Sequence, residues 1–292
     1  MHFLDTEKHP DVSKTTLLTA IVFVITAVIG IGGGAQQLCI KFFDFIPSFD
    51  LRSASLGVIA TQLGFHLIPF LLGVLSIFFV VKKILLRPIH SLFGDKQKAF
   101  QKFWFSFFIY SFIFIVISVL YYWNDDAIKM NFINSSFWLM TFVLAVFVAI
   151  QISFEELFFR AFFPQTLVGL GLSKISAIIV ASVLFGLLHG NNPEVETYGK
   201  TLLLLYILHG LFLGFIVYLD NSIWLALGYH FANNTLTLLF ISSESQVLKT
   251  PSIFQLTRED NNLWWLFIQI IVTMGIFFFT CYKKYGWKIK LN

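Results

Sequence analysis

Charge is scarce in this chain. Asp, Glu, Lys and Arg make up 12% of its 292 residues, about half the roughly 25% usual in soluble domains, which argues against an ordinary soluble protein. Cysteine is nearly absent. Cys39 and Cys281 lie near opposite ends with no C-x-x-C pairing, so neither a disulfide framework nor a thiolate metal site is written here. There is no H-E-x-x-H, which argues against a zincin-like protease. Internal repeats are missing too, and with them the matching broken halves expected of many transporters. Short alternating segments of a membrane barrel are not seen either.

What remains is apolar. Hydrophobic residues make up 57% of the chain, 37 of them phenylalanine, and the mean hydropathy is +0.80. Long apolar runs predict one integral membrane unit over residues 1–292, an all-α bundle of about eight transmembrane helices. The expected spans are Thr15–Gly34, Ser55–Val81, Phe103–Trp123, Phe137–Phe163, Ile175–Gly190, Leu202–Leu219, Ile223–Ile241 and Leu263–Cys281. The first follows a mixed-charge segment (Asp5, Glu7, Lys8, Asp11, Lys14) unlike a signal-peptide start, and is expected to be a retained helix. With the N-terminus inside, fourteen Lys and Arg fall on the cytoplasmic side. Six (Lys41, Arg52, Lys129, Lys200, Lys249, Arg258) fall outside. This predicts a multi-pass cell-membrane protein with both termini cytoplasmic. The pI near 9.0 is read as loop lysines facing a membrane surface, with no nucleic-acid partner.

Fourteen of the sixteen acids lie in tails, in loops or, for Asp220, at a span end. Only Glu155 and Glu156, in "QISFEELFFRAFF", lie well inside a span. An intramembrane carboxylate is costly and marks a functional site by default. Glu156 and Arg160 are four apart and share a helical face, so Arg160 is expected to neutralise Glu156. Glu155 is rotated about 100° away and left without that partner, as suits general acid/base work. Folding the chain at the glycines of "LVGLGLSK" about Leu172 puts Glu155 and His189 at one height, each seventeen residues away. His230 and Asn234, in "YHFANN", share one face of the seventh span.

Three motifs thus stand in order: E-E-x-x-x-R (Glu155–Arg160), F-x-x-x-H (Phe185–His189) and H-x-x-x-N (His230–Asn234). Together they resemble the CPBP family of intramembrane proteases, which includes type II CAAX prenyl endopeptidases and bacteriocin-processing relatives. The resemblance covers about residues 137–240. It implies an eight-helix membrane bundle and an endopeptidase acting on a membrane-associated protein or peptide. By its motif positions Glu155 is the base that activates water, helped by His189. His230 and Asn234 stabilise the oxyanion, and Glu156 with Arg160 supports the site. This chemistry needs no obligatory metal; two histidines and a carboxylate keep zinc open as the alternative. A proton-coupled transporter and a non-catalytic scaffold or immunity protein are the competing classes.

Other residues read as structural. His66 and His209 lie in spans without a motif and are expected to pack or line a cavity. His2, His9 and His90 belong to tails or loops. Phe185 is expected to pack, Asn191 and Asn192 to form a turn before Pro193, and Ser173 to sit in a turn.

Overall fold

The computed structural model describes residues 2–5, 12–42, 52, 55–122, 128–131, 135–256 and 263–287. Glu7, Lys8, His9, Asp11, Trp123, Arg258, Lys288 and Lys290 lie outside the described residues. Helices dominate: α1 (Lys14–Phe42), α2 (Leu56–Ile84), α3 (Ala99–Tyr122), α4 (Phe137–Gly169), α5 (Lys174–Leu188), short α6 (Pro193–Tyr198), α7 (Lys200–Asp220), α8 (Trp224–Phe240) and α9 (Leu263–Tyr285). Among the described residues, strands are confined to a three-stranded patch at one end of the bundle. Ile128–Met130 pairs antiparallel with Phe254–Leu256, which pairs parallel with Ile241–Ser242.

The all-α membrane architecture follows from the sequence. Each of the eight expected spans is a helix, with shifted ends: α1 runs on to Phe42, α2 to Ile84 and α4 to Gly169. Among the described residues six helices are long and apolar enough to cross a membrane; α5, with 15 residues, and α8, with 17, fall short. At about 1.5 Å per residue they reach about 22–26 Å against a core of about 30 Å. α5 ends at Leu188, capped by His189; Asn192, before proline, is extended, and Pro193 opens α6. Large apolar side chains face outward all along the bundle, Ile29, Phe112 and Trp138 among them, as a lipid-facing surface requires.

Two close approaches fix the centre. A Cβ on Gly228 of α8 would lie 2.2 Å from the Phe103 carbonyl oxygen of α3, so only glycine permits this crossing. The Ser106 hydroxyl reinforces it by donating to the Leu225 carbonyl at 2.6 Å. A Cβ on Gly186 of α5 would meet Ile207 of α7 at 2.3 Å. At the end opposite the strands, polar groups tie the chain together. The Gln165 side chain accepts from Arg87 (2.8 Å) and donates to the Ser91 and Phe3 carbonyls (2.9 and 3.1 Å). Buried Lys102 and Asp220 pair at 2.9 Å, and Asn221, left-handed at φ 57°, receives the Phe3 amide and lets α7 turn into α8.

Candidate active site

Glu155 and Glu156 sit near the middle of α4, at the last α-helical residues before a π-helical stretch, Leu157–Phe162. Such widened turns concentrate at functional sites. Glu156 is fully buried at 0% exposure. Its Oε1 lies 3.3 Å from Arg160 Nη1 and 2.7 Å from His230 Nδ1. Arg160 thus stands beside Glu156 as the i,i+4 spacing predicts, but shares it with a histidine from another helix. The Arg160 guanidinium also lies over the Phe185 ring, 4.3 Å from its centre, a favourable placement for a cation with little water around it.

Glu155 is not left without neighbours, contrary to the sequence-based expectation. Gln151, one helical turn earlier, donates to its Oε1 at 3.2 Å. Its Oε2 lies 3.6 Å from His230 Nε2, too long for a good hydrogen bond. The physical reason for the difference is α8: His230 reaches between the adjacent carboxylates, with Nδ1 on Glu156 and Nε2 toward Glu155. Sequence spacing along α4 carries no information about that crossing. On the next turn of α8, Asn234 Oδ1 accepts from Asn233 at 2.9 Å, which leaves the Asn234 amide N–H groups to donate elsewhere. Asn233 in turn accepts from Tyr110 of α3.

His189 follows the last residue of α5. Its Nδ1 lies 2.7 Å from the Phe185 carbonyl. A carbonyl only accepts, so Nδ1 carries the proton and Nε2 presents its lone pair. Phe185 is buried, as expected, and also flanks His189 with ring centres 4.6 Å apart.

These groups border one cavity of about 280 Å³. Glu155, His189, His230 and Asn234 all line it, together with Gln151, Asn233 and the tyrosines of α3, α7 and α8. His209 lines it too, beside His230. His66 lies elsewhere, bonded to the Gln62 carbonyl of its own helix. His2 bonds the Tyr218 carbonyl, so this tail residue is docked. Asn192 is the N-cap of α6, and Ser173 caps α5, accepting from the Ser176 amide. Glu194 lies between spans, as the sequence reading placed it, yet it also lines the cavity, accepting from Tyr206 at 2.6 Å. It escaped notice because it follows Pro193 and reads as a loop acid. Gln151 was within reach of i−4 spacing from Glu155. Nothing in the sequence marks Tyr110 or Tyr206.

The donor set for zinc can be tested on this geometry. The expected ligands, His189, His230 and Glu155, border the cavity together with His209 and Glu194. Among the described residues, however, no three His, Cys, Asp or Glu side chains come together in an arrangement that would hold a metal ion.

Comparison with known proteins agrees with the motif region. Residues 134–236 match the type II CAAX prenyl endopeptidase Rce1-like family. A curated relative, the uncharacterized protein YyaK of Bacillus subtilis (strain 168), is 29% identical over 232 residues, 78% of this chain and 77% of the relative. No solved structure matches. The likeness to the type II CAAX prenyl endopeptidase Rce1-like family thus runs over residues 134–236, the stretch that holds Glu155, His189, His230 and Asn234.

Proposed function

We propose that the protein is an intramembrane endopeptidase that hydrolyses a peptide bond of a membrane-associated protein or peptide. The family match points to a CAAX-type endopeptidase. The observation that carries the finer reading is the convergence of α4, α5 and α8 on one cavity, with Glu155 opposite His230 and with His189 and Asn234 on its wall.

Each step uses groups the chain itself supplies. Glu155 takes a proton from water, and the Nε2 lone pair of His189 accepts the second water hydrogen as a hydrogen bond. The hydroxide attacks the scissile carbonyl carbon, and its oxygen becomes an oxyanion. The Asn234 amide donates to that oxyanion. His230 donates through Nε2, which requires an imidazolium, because Nδ1 already faces Glu156. Collapse of the intermediate breaks the C–N bond, and the proton held by Glu155 passes to the leaving amine. Arg160 balances the charge of Glu156 and so holds His230 in place. No step here requires a metal ion.

The charge count supports an orientation with both termini cytoplasmic, in a multi-pass membrane protein. The test of function is proteomic. Cells carrying the Glu155→Gln variant at wild-type abundance should accumulate uncleaved membrane-associated peptides. Identical peptide profiles would sink the reading.

A further inference from the structure

His189 stands at a frayed point. It follows the last residue of α5, and its backbone amide bonds Gly186 at a longer 3.2 Å. The Nδ1–H bond to the Phe185 carbonyl holds the ring from its own helix; a general-base helper at a helix end needs a second hold from outside, because an imidazole that can rock about one bond presents its lone pair to the cavity only part of the time. The Tyr206 ring of α7 lies face to face with His189, with centres 4.3 Å apart and planes at 20°. The Tyr206 hydroxyl donates to Glu194 Oε1 at 2.6 Å. Asn192 closes the circuit: its amide N–H donates to the His189 carbonyl at 3.0 Å and its side chain reaches the same Glu194 oxygen at 3.3 Å. The α5–α7 distance that allows the stacking is set by glycines. A Cβ on Gly186 would strike Ile207, and one on Gly210 would press on Ser182 at 3.1 Å.

We propose that Tyr206 and Glu194 form a positioning clamp on His189, with Tyr206 as the wall behind the imidazole and Glu194 as the anchor that fixes the wall. This rests on the reading of His189 as the partner of Glu155 in water activation, and adds two positioning residues that the three motifs do not contain. A simple tie between α6 and α7 would explain the hydrogen bond alone. The clamp also demands that breaking that bond be felt at His189.

The test reads His189 directly and needs no substrate. The full chain, labelled with 15N-histidine and held in lipid nanodiscs, is examined at about pH 8.5, roughly two units above the ordinary imidazole pKa. The His189 signals are identified by their loss in His189→Gln. The wild type should show one tautomer, with Nδ1 protonated. Tyr206→Leu removes the wall and should move both nitrogen shifts toward the tautomer average. Tyr206→Phe and Glu194→Ala each delete the hydrogen bond but keep the ring. They should give the same smaller shift, and the double variant should shift no further than either alone. Glu194→Gln keeps an acceptor and should restore the wild-type spectrum. If Tyr206→Leu does not fold, the Tyr206→Phe and Glu194→Ala pair decides. Unchanged His189 signals in that pair, or shifts that add in the double variant, would overturn the clamp. Failure of the protease reading looks different: Glu155→Gln cells would keep the wild-type peptide profile while the nitrogen signals behave as described.

Discussion

Two polar clusters interrupt this apolar bundle, and they are completed differently. Around Gln165 the amide oxygen and nitrogen all find partners, from Arg87, Ser91 and Phe3. Nearby, Lys102 meets Asp220, which also receives the Ser222 hydroxyl. Around Glu156 the accounts stay open. Glu156 Oε2, both Arg160 Nη atoms and His209 Nε2 are buried and have no hydrogen-bond partner among the described residues. Burying an unsatisfied polar atom costs about 1–3 kcal/mol, more if charged. A cluster built only to hold helices together closes its hydrogen bonds, as the Gln165 end does. The open groups lie behind the cavity proposed as the active site, and of these residues His209 lines it.

The sharpest way to break this comparison is to alter one residue in each cluster and ask which quantity falls. Glu155→Gln should lower turnover by about a hundred- to ten-thousand-fold, the range for losing a general base, with thermal stability close to wild type. A stable variant that still cleaves would assign the base elsewhere. Lys102→Ala should do the reverse. It leaves Asp220 buried without its cation and should cost about 3–5 kcal/mol of stability, while the fraction that folds turns over normally. Unfolding in mild detergent measures the first and activity per folded molecule the second.

Asn234→Ala should cost about a hundred- to a thousand-fold in turnover with KM little changed, as for one oxyanion donor. A rise in KM alone would make Asn234 a substrate-binding residue. Glu156→Gln should cost mainly stability, about 1–3 kcal/mol, because Arg160 and His230 lose their shared carboxylate. Equal loss of activity in Glu155→Gln and Glu156→Gln at equal abundance would erase the division of labour between the two glutamates. The smallest expected effect is none: strong chelation should leave cleavage unchanged. Inactivation reversed by added zinc would replace the metal-free mechanism and leave the location of the site intact.

Much of this was legible in the residues. Long apolar runs give the helices because a membrane leaves the backbone little choice. Helical spacing alone places Arg160 beside Glu156 and puts Asn234 one turn from His230. What could not be read was rotation between helices. The insertion of His230 between two glutamates depends on how α8 crosses α4, and that depends on the Gly228 approach to α3. The stacking of Tyr206 on His189 likewise depends on Gly186 and Gly210. Glu194 was hidden for a local reason: a proline and two asparagines before it carry the signature of a surface turn, and here the turn folds back over the cavity.

The π-helical stretch at Leu157–Phe162 carries a consequence for how this helix tolerates insertions and deletions. Each residue of an α-helix turns the chain by about 100°, so one extra residue accommodated in a widened turn resets the phase of everything that follows. Upstream, α4 aims Glu155 at the cavity and Glu156 at Arg160 and His230. Downstream, the same helix aims Gln165 at Arg87, Ser91 and Phe3. Deleting a single residue between them would let the stretch relax to an ordinary helix, but the two ends would then keep different time. Whichever half stays docked, the other must rotate away from its partners. The widened turn is a phase coupler, through which one helix serves two targets that a regular spiral would not face together.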